Sequence, residues 1–258
     1  MKPTLSRIKK NSNSSTASSL STIWSKDGGC PFGTVPVKRI TKDDLIRQRR
    51  MPQPEDVTFN TQFDVIAIAR TPNEANNRFA GVGMATSLYN PHVKDGQHSG
   101  SRLKIQKGSN ILQVGWRVDP TLYGDTKTRL FIHFQVPELT STLPFFLNKD
   151  LANGNWWLLL TRSFNQVGFW PQRIFIDLTS FATNVEWGGV AYSPPGVPKT
   201  PMGSSFFPIK NSSYDGYCSK ITILNEKGKT IKVDETITHT DNPNMYQVFA
   251  EPIWHKSE

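Results

Sequence analysis

The segment from residue 110 to residue 134 constrains the fold more than any other part of the sequence. Apolar and polar residues alternate in its first half: the apolar positions are Leu112, Val114, Trp116 and Val118, and the polar positions include Gln113 and Arg117. A period of two predicts a strand with one buried face and one polar face. Pro120 cannot donate a ladder hydrogen bond, and Gly124 with Asp125 is typical of a turn. The chain should therefore change direction there before a second strand begins near Thr128.

Short strand patterns recur through the rest of the chain. They cover residues 63–69, 79–89, 101–107 and 156–160, and Asn153-Gly154-Asn155 before the last of them is a hairpin-like turn. No long segment with the helical period of 3.6 residues follows residue 51. These patterns predict an all-β domain, either an antiparallel sandwich or a barrel.

Composition limits the classes of protein. The chain has 258 residues, enough for a sizeable core, and no apolar run long enough to cross a bilayer. Its N-terminus lacks the apolar block of a signal peptide. The net charge of +9 arises largely from lysines and arginines before residue 51, without any RNA- or DNA-binding motif. We therefore expect neither a nucleic-acid partner nor a membrane partner.

The first 60 residues differ from the rest of the chain. Residues 1–28 are rich in Ser, Asn and Lys, which predicts disorder. Thr41 with Asp44 is an N-cap pattern, so a short basic helix should begin there and end before Pro52. The expected organisation is an N-terminal segment, 1–60, followed by a β domain, 61–258.

Several blocks of the sequence resemble the neprosin family, the glutamic endopeptidases of plants. The resemblance rests on the segment from Gln113 to Phe131 and on four later blocks, which are 154–158, 167–171, 185–189 and 202–208. It implies a sandwich of two antiparallel sheets with a concave face that binds peptide. The block Gly29-Cys30-Pro31-Phe32-Gly33-Thr34 and the basic helix after it resemble the end of the family's activation peptide. By this resemblance the protein is secreted, residues 1–60 are a remnant of the activation peptide, and a partner cysteine for Cys30 lies upstream.

The same resemblance locates the catalytic positions, and both are changed. The family has a catalytic glutamate at position 113, where this chain has Gln113. The second glutamate follows Trp-Gly-Gly, where this chain has Val190. An amide cannot accept the proton that a general base must take, and a valine supplies no polar group. Glu186 has the strand parity of position 190 and is the alternative carboxylate, which would make a Gln113 and Glu186 pair resemble the Gln/Glu dyad of another glutamic peptidase family.

Two further departures are a shortened block after Phe134, where the family has more strands, and Met245 in place of a cysteine. Losing strands should leave an exposed sheet edge.

Other catalytic chemistry has weaker support. His92 and His98 are expected in an exposed loop, no metal-ligand spacing or serine or cysteine nucleophile motif stands out, and no cofactor is predicted. Asn13 and Asn211 lie in N-glycosylation sequons. Trp156, Trp157, Trp170 and Trp187 lie in apolar runs and are expected in the core rather than on a sugar-binding surface.

Three hypotheses follow. The first is a divergent, catalytically impaired neprosin-type domain with a groove for extended peptide or unfolded protein. The second is an active glutamic endopeptidase that uses Gln113 and Glu186. The third is a sandwich that binds carbohydrate or a protein partner.

Overall fold

A computed structural model of the chain describes Lys42, Ile46 and residues 64–132, 143–160, 165–211, 213–231 and 235–250. Within these ranges the chain forms two six-stranded antiparallel sheets, sheet A and sheet B. The order in sheet A is β12-β1-β9-β3-β4-β5, and the order in sheet B is β11-β10-β2-β6-β7-β8. The strands are β1 Asp64–Arg70, β2 Phe79–Thr86, β3 His98–Lys107, β4 Asn110–Val118, β5 Arg129–Phe131, β6 Leu143–Lys149, β7 Trp156–Leu160, β8 Asn165–Trp170, β9 Asn184–Tyr192, β10 Cys218–Asn225, β11 Thr230–Ile231 and β12 Ile237–Thr240. The predicted sandwich of two antiparallel sheets is confirmed.

The two sheets pack face to face through one apolar core. Sheet A contributes Leu103, Ile105, Leu112, Val114 and Val185, and sheet B contributes Val82, Phe145, Leu147, Trp156 and Leu158. Each contributes alternate residues of its strand, as the period of two requires. The predicted buried face of β4 is confirmed, because Leu112, Val114, Trp116 and Val118 are all buried.

The turn after β4 is a short helix, α1 Pro120–Tyr123. The Asp119 side chain accepts a hydrogen bond from the Leu122 backbone N–H, and Pro120 occupies the first turn, where a missing N–H costs nothing. Gly124 ends the helix at φ 77°, a left-handed conformation that glycine adopts without strain. The predicted change of direction between Pro120 and Gly124 is confirmed.

The hairpin between β6 and β7 also follows its sequence. Asp150 accepts hydrogen bonds from the Ala152 backbone and the Asn153 side chain, and Gly154 has a positive φ of 76°. Trp156, Trp157 and Trp187 are buried as expected, and Trp170 is half-buried.

One expectation was wrong. His98 does not lie in an exposed loop with His92; it begins β3 and is buried. The polar residues after Pro91 concealed this, because a strand that is shielded on both faces does not show simple alternation.

Several expectations fall outside the described residues: the disordered segment 1–28, the block around Cys30 and the shortened region after Phe134. Of the predicted basic helix, Lys42 and Ile46 are described, and both are helical. No helix among the described residues is long and apolar enough to cross a membrane.

Candidate functional site

The candidate catalytic residues lie on the outer face of sheet A, the face that points away from sheet B. Lys104 on β3 is the register partner of Gln113 on β4 and of Glu186 on β9. The three residues therefore form one row across adjacent strands, and Arg70 on β1 continues it as the partner of Glu186. Neighbouring strands are about 4.8 Å apart, so Gln113 and Glu186 are separated by about 10 Å between their backbones.

Arg102 closes this gap. Its Nη1 atom donates a hydrogen bond of 3.1 Å to Gln113 Oε1, and its Nη2 atom lies 2.9 Å from Glu186 Oε1. A guanidinium can only donate, so the oxygen of the Gln113 amide must face Arg102. The amide NH2 of Gln113 is therefore left as the group that can donate elsewhere.

Glu186 has an ion pair on each carboxylate oxygen. Oε1 pairs with Arg102 and Oε2 with Lys104 Nζ at 3.3 Å. The Glu186 residue is only 1% exposed, and Gln113 is 9% exposed. A buried carboxylate is tolerated when it is paired and hydrogen-bonded in this way. The polar face of β4 that the sequence predicted is therefore shielded from solvent at this point.

Val190 lies apart from this cluster. It pairs with Gly100 on β3, and Gly100 pairs in turn with Arg117 on β4. Val190 is four residues along β9 from Glu186 and two strands from Gln113, which places it about 16 Å from Gln113 by standard sheet spacing. The structure thus brings Gln113 and Glu186 together and leaves Val190 outside.

A second polar cluster on the same face escaped the sequence analysis. Arg117 Nη2 lies 2.8 Å from Asp119 Oδ2 and 2.8 Å from His98 Nδ1, and the His98 ring stacks on Tyr192 at 5.3 Å. His98 and Asp119 are buried, and Arg117 and Tyr192 are half-buried. The signal that could have found the cluster is the shared parity of Arg117 with Gln113. Because Asp119 also caps α1, the cluster ties the turn to the sheet.

His98 is held neutral. Burial lowers its pKa well below 6.5, and the positive charges of Arg117 and Arg102 lower it further. Since Arg117 donates to Nδ1, the proton of the neutral ring is on Nε2. Because the imidazole is neutral, Arg117 alone forms the short ion pair with the Asp119 carboxylate.

Two glycines, which carry no side chains, lie at the centre of this outer face. Gly115 and Gly188 pair with Arg102 from either side. A Cβ atom at Gly115 would overlap the backbone of Ser101 and Arg102, and one at Gly188 would overlap the Ala67 carbonyl oxygen. The absence of side chains at both positions leaves room for the Arg102 side chain to reach Gln113 and Glu186.

Other catalytic chemistry is little represented among the described residues. No group of three or more His, Cys, Asp and Glu side chains is arranged to hold a metal ion within these ranges. Cys218 is a free thiol at the start of β10 in sheet B, near the hydroxyls of Ser101 and Thr86. Burial raises its pKa, so it does not have the character of an activated nucleophile.

Comparison with known proteins gives matches to solved structures and to a family model. The chain is similar to two solved peptidase structures, each at 11% identity, with 69% of this chain and 86% of theirs covered. They are SCP-B, a member of the eqolisin family, in complex with the tripeptide Ala-Ile-His, at a TM-score of 0.41, and scytalido-glutamic peptidase with a peptide-based transition-state analogue, at 0.40. The family model named Neprosin matches residues 95–143 and 135–257, which include β4, β9 and the whole row from Gln113 to Glu186. The chain belongs to the Neprosin family.

Proposed function

We propose that this protein is a glutamic-peptidase-like domain with impaired catalysis, which binds extended peptide on the outer face of sheet A. The observation that carries the proposal is the state of Glu186. It is the carboxylate of the Gln113 row, and both its oxygens are in ion pairs with cations.

A general base needs an oxygen that can approach the attacking water and accept its proton. Glu186 is almost completely buried, and Arg102 and Lys104 occupy both sides of its carboxylate. Gln113 can donate to an oxyanion, but it cannot replace the base.

The row nevertheless suits an extended peptide. The outer face carries a donor amide at Gln113 and no side chain at Gly115 and Gly188, which lie on antiparallel strands on either side of β3. An extended backbone laid across such a face has polar groups to bond with, and Gly115 and Gly188 present no side chains on either side of Arg102. The partner would be a peptide or an unfolded protein.

The N-terminal segment and the location of the protein follow from the family. We propose that residues 1–60 are the remnant of an activation peptide and that the protein acts outside the cell. The resemblance of the block around Cys30 to the end of the family's activation peptide supports the first part.

A second candidate function is active endopeptidase chemistry by a Gln113 and Glu186 dyad. The favouring observation is that Arg102 bonds both side chains and so fixes their relative position. In this case Glu186 would activate the water, and the Gln113 NH2 would stabilise the oxyanion.

Cleavage of a denatured protein across acid and neutral pH separates the two candidates. The intact chain, the 61–258 fragment made by limited proteolysis, and the Glu186→Gln variant would be compared, with the exposed Glu74→Gln as the matched control. We expect no cleavage above background from any of them. Cleavage by the intact chain or the fragment that disappears in Glu186→Gln but not in Glu74→Gln would establish the dyad and refute impairment.

Binding is tested separately with fluorescein-labelled β-casein, an unfolded polypeptide. We expect saturable binding to the intact chain or to the 61–258 fragment. Gln113→Ala should weaken it several-fold, and Gln166→Ala, an exposed glutamine on β8, should not. Equal binding by both variants would show that the Gln113 face is not the peptide site.

A further inference from the structure

A large cleft lies on the other side of sheet A, between the two sheets. It has a volume of about 1810 Å³ and opens at the edge where β1 and β12 face β10 and β11. The side chains of sheet A that line it are small at Ala67, Ala69 and Ser101. The cleft is distinct from the Gln113 row because these residues point to the opposite face of the sheet. Most small-molecule pockets measure about 300–1,000 Å³, so this one has room for a long ligand.

Large apolar side chains are concentrated at this cleft while remaining exposed to solvent. Phe206 is 79% exposed and Phe249 is 57% exposed, and Phe207, Ile237 and Met245 are also exposed. Soluble proteins rarely leave so many aromatic and aliphatic side chains exposed in one place unless something binds there. These residues form an apolar wall suited to a hydrocarbon chain.

A buried hydroxyl inside the cleft lacks a partner. Thr200 is 2% exposed and lines the cleft, and its Oγ1 atom has no hydrogen-bond partner. Both backbone polar groups of Thr200 are hydrogen-bonded: its N–H donates to Ser193 Oγ, and its carbonyl accepts from the Tyr246 hydroxyl. Buried polar atoms in folded proteins are nearly always hydrogen-bonded, so an unpaired hydroxyl here points to a polar atom of a ligand.

Positive charges predominate among the described residues that line the cleft. Lys199, Lys210 and Lys220 line it and are exposed. Of the two lining carboxylates, Asp215 is occupied by hydrogen bonds from the Ile209 and Asn211 backbones, which leaves Glu235 at the rim. Among the described residues that line the cleft, the lysines outnumber the carboxylates, so an anionic group would complement the surface.

The backbone holds two of these lysines in an unusual conformation. Lys210 has φ 63° and Lys220 has φ 52°, and Ser205 at φ 71° completes the set of non-glycine residues with positive φ among the described ranges. All three line the cleft. Lys220 lies where β10 loses register with β2, between Ser219 and Thr222. Strained backbone of this kind concentrates at functional sites, and here a bulge directs a lysine.

We propose that the cleft between the sheets binds a long-chain anionic amphiphile of the fatty-acid class, with its chain against the phenylalanines and its carboxylate near the lysines and Thr200. Neither the apolar wall nor the charge alone would specify this ligand. Together they exclude a fully polar ligand and disfavour an uncharged one. The proposal does not depend on peptidase activity, because no residue of the Gln113 row takes part.

The test is a titration of the full chain with dansyl-labelled undecanoic acid, followed by displacement with oleate or with methyl oleate. We expect saturable binding that oleate displaces and methyl oleate displaces at least tenfold less well. Lys220→Asn removes the charge and keeps a residue that tolerates positive φ, so it should weaken binding several-fold. Lys227→Asn, at the exposed β10–β11 turn outside the cleft, is the matched control and should bind as the unaltered chain does.

Two further variants separate binding from folding. Phe206→Ser should weaken binding with little loss of stability, because Phe206 is largely exposed. Thr200→Val replaces the unpaired hydroxyl by a methyl group of the same shape, so it should raise the melting temperature slightly while weakening binding.

Four outcomes would overturn the proposal. They are no saturable binding, equal displacement by oleate and methyl oleate, equal binding by Lys220→Asn and Lys227→Asn, and binding that appears only after residues 1–60 are removed. The last would identify the N-terminal segment of this chain as the occupant of the cleft. Probe binding that is lost as the chain dimerises would instead identify a second copy.

Discussion

Arg102 is the residue on which the candidate site should depend most for its stability. Replacement by Met keeps much of the side-chain volume and removes two interactions, the hydrogen bond to Gln113 Oε1 and the ion pair with Glu186 Oε1. A buried acceptor left unsatisfied costs about 1–3 kcal/mol. Removing one partner of a buried ion pair costs about 3–5 kcal/mol when nothing else compensates. Together these ranges give about 4–8 kcal/mol, and because Lys104 still pairs with Glu186, the loss for Arg102→Met should lie near the lower end, about 4–5 kcal/mol.

The assay is urea unfolding followed by tryptophan fluorescence. Arg78→Met is the matched control, because Arg78 pairs with Glu226 at 2.5 Å on the surface, where such pairs contribute about 0–1 kcal/mol. A double-mutant cycle with Glu186→Gln should give a coupling energy above about 1 kcal/mol, as expected for residues in direct contact. If Arg102→Met loses no more stability than Arg78→Met, Arg102 does not hold Gln113 and Glu186 together, and the proposed geometry of the site is refuted.

Three further predictions concern pH and packing. Folding lowers the pKa of His98, so below pH 6.5 the unfolded chain binds a proton at this residue that the folded chain does not bind. The free energy of unfolding should therefore fall as the pH drops below 6.5. His98→Gln should make the stability curve shallower there in urea unfolding, and an unchanged curve would contradict the burial argument. Burial lowers the pKa of Lys149 from 10.5 to about 8, so the free energy of unfolding should rise between pH 8 and 10.5. Lys149→Met should remove that rise. If the free energy of unfolding of this variant rises with pH as steeply as that of the unaltered chain, Lys149 is not the source. Gly115→Ala should lower the free energy of unfolding by at least about 1–3 kcal/mol, because the new Cβ overlaps the neighbouring strand. Gly168→Ala, with open space around the new Cβ, should lower it by less than about 1 kcal/mol. Comparable melting temperatures for the two variants would contradict this.

The sequence predicted the fold well where one face of a strand is apolar. The alternation of Leu112, Val114 and Trp116 predicted β4 and its buried face, and Pro120 with Gly124 predicted the turn. These signals are local, because residue parity and turn chemistry act within a few positions. The family motifs then predicted that the strands form two sheets.

The candidate site was less accessible to prediction because it depends on register between distant strands. Gln113 and Glu186 are 73 positions apart in the sequence numbering, and nothing local to either shows that both pair with Lys104. Arg102 has the parity of Lys104 and could have been placed on the outer face, but its contacts with both residues could not. His98 was missed for a related reason, since its strand is shielded on both faces.

The register of β3 also links the two faces of sheet A. Leu103 and Ile105 enter the core between the sheets, and Arg102 and Lys104 form the ionic row outside. A slip by one residue would move both cations into the core and both apolar side chains out of it. Burying two unpaired cations costs far more free energy than the row of ion pairs does in its native place, so the row, like the core, opposes the slipped register. A change at Glu186 therefore alters both the chemistry of the row and the pairing of β3 with β9. Glu186→Gln is the informative substitution, because it removes the charge while keeping an oxygen that can accept a hydrogen bond from Arg102. If this variant unfolds as the unaltered chain does but loses peptide binding or cleavage, the loss is due to the carboxylate itself.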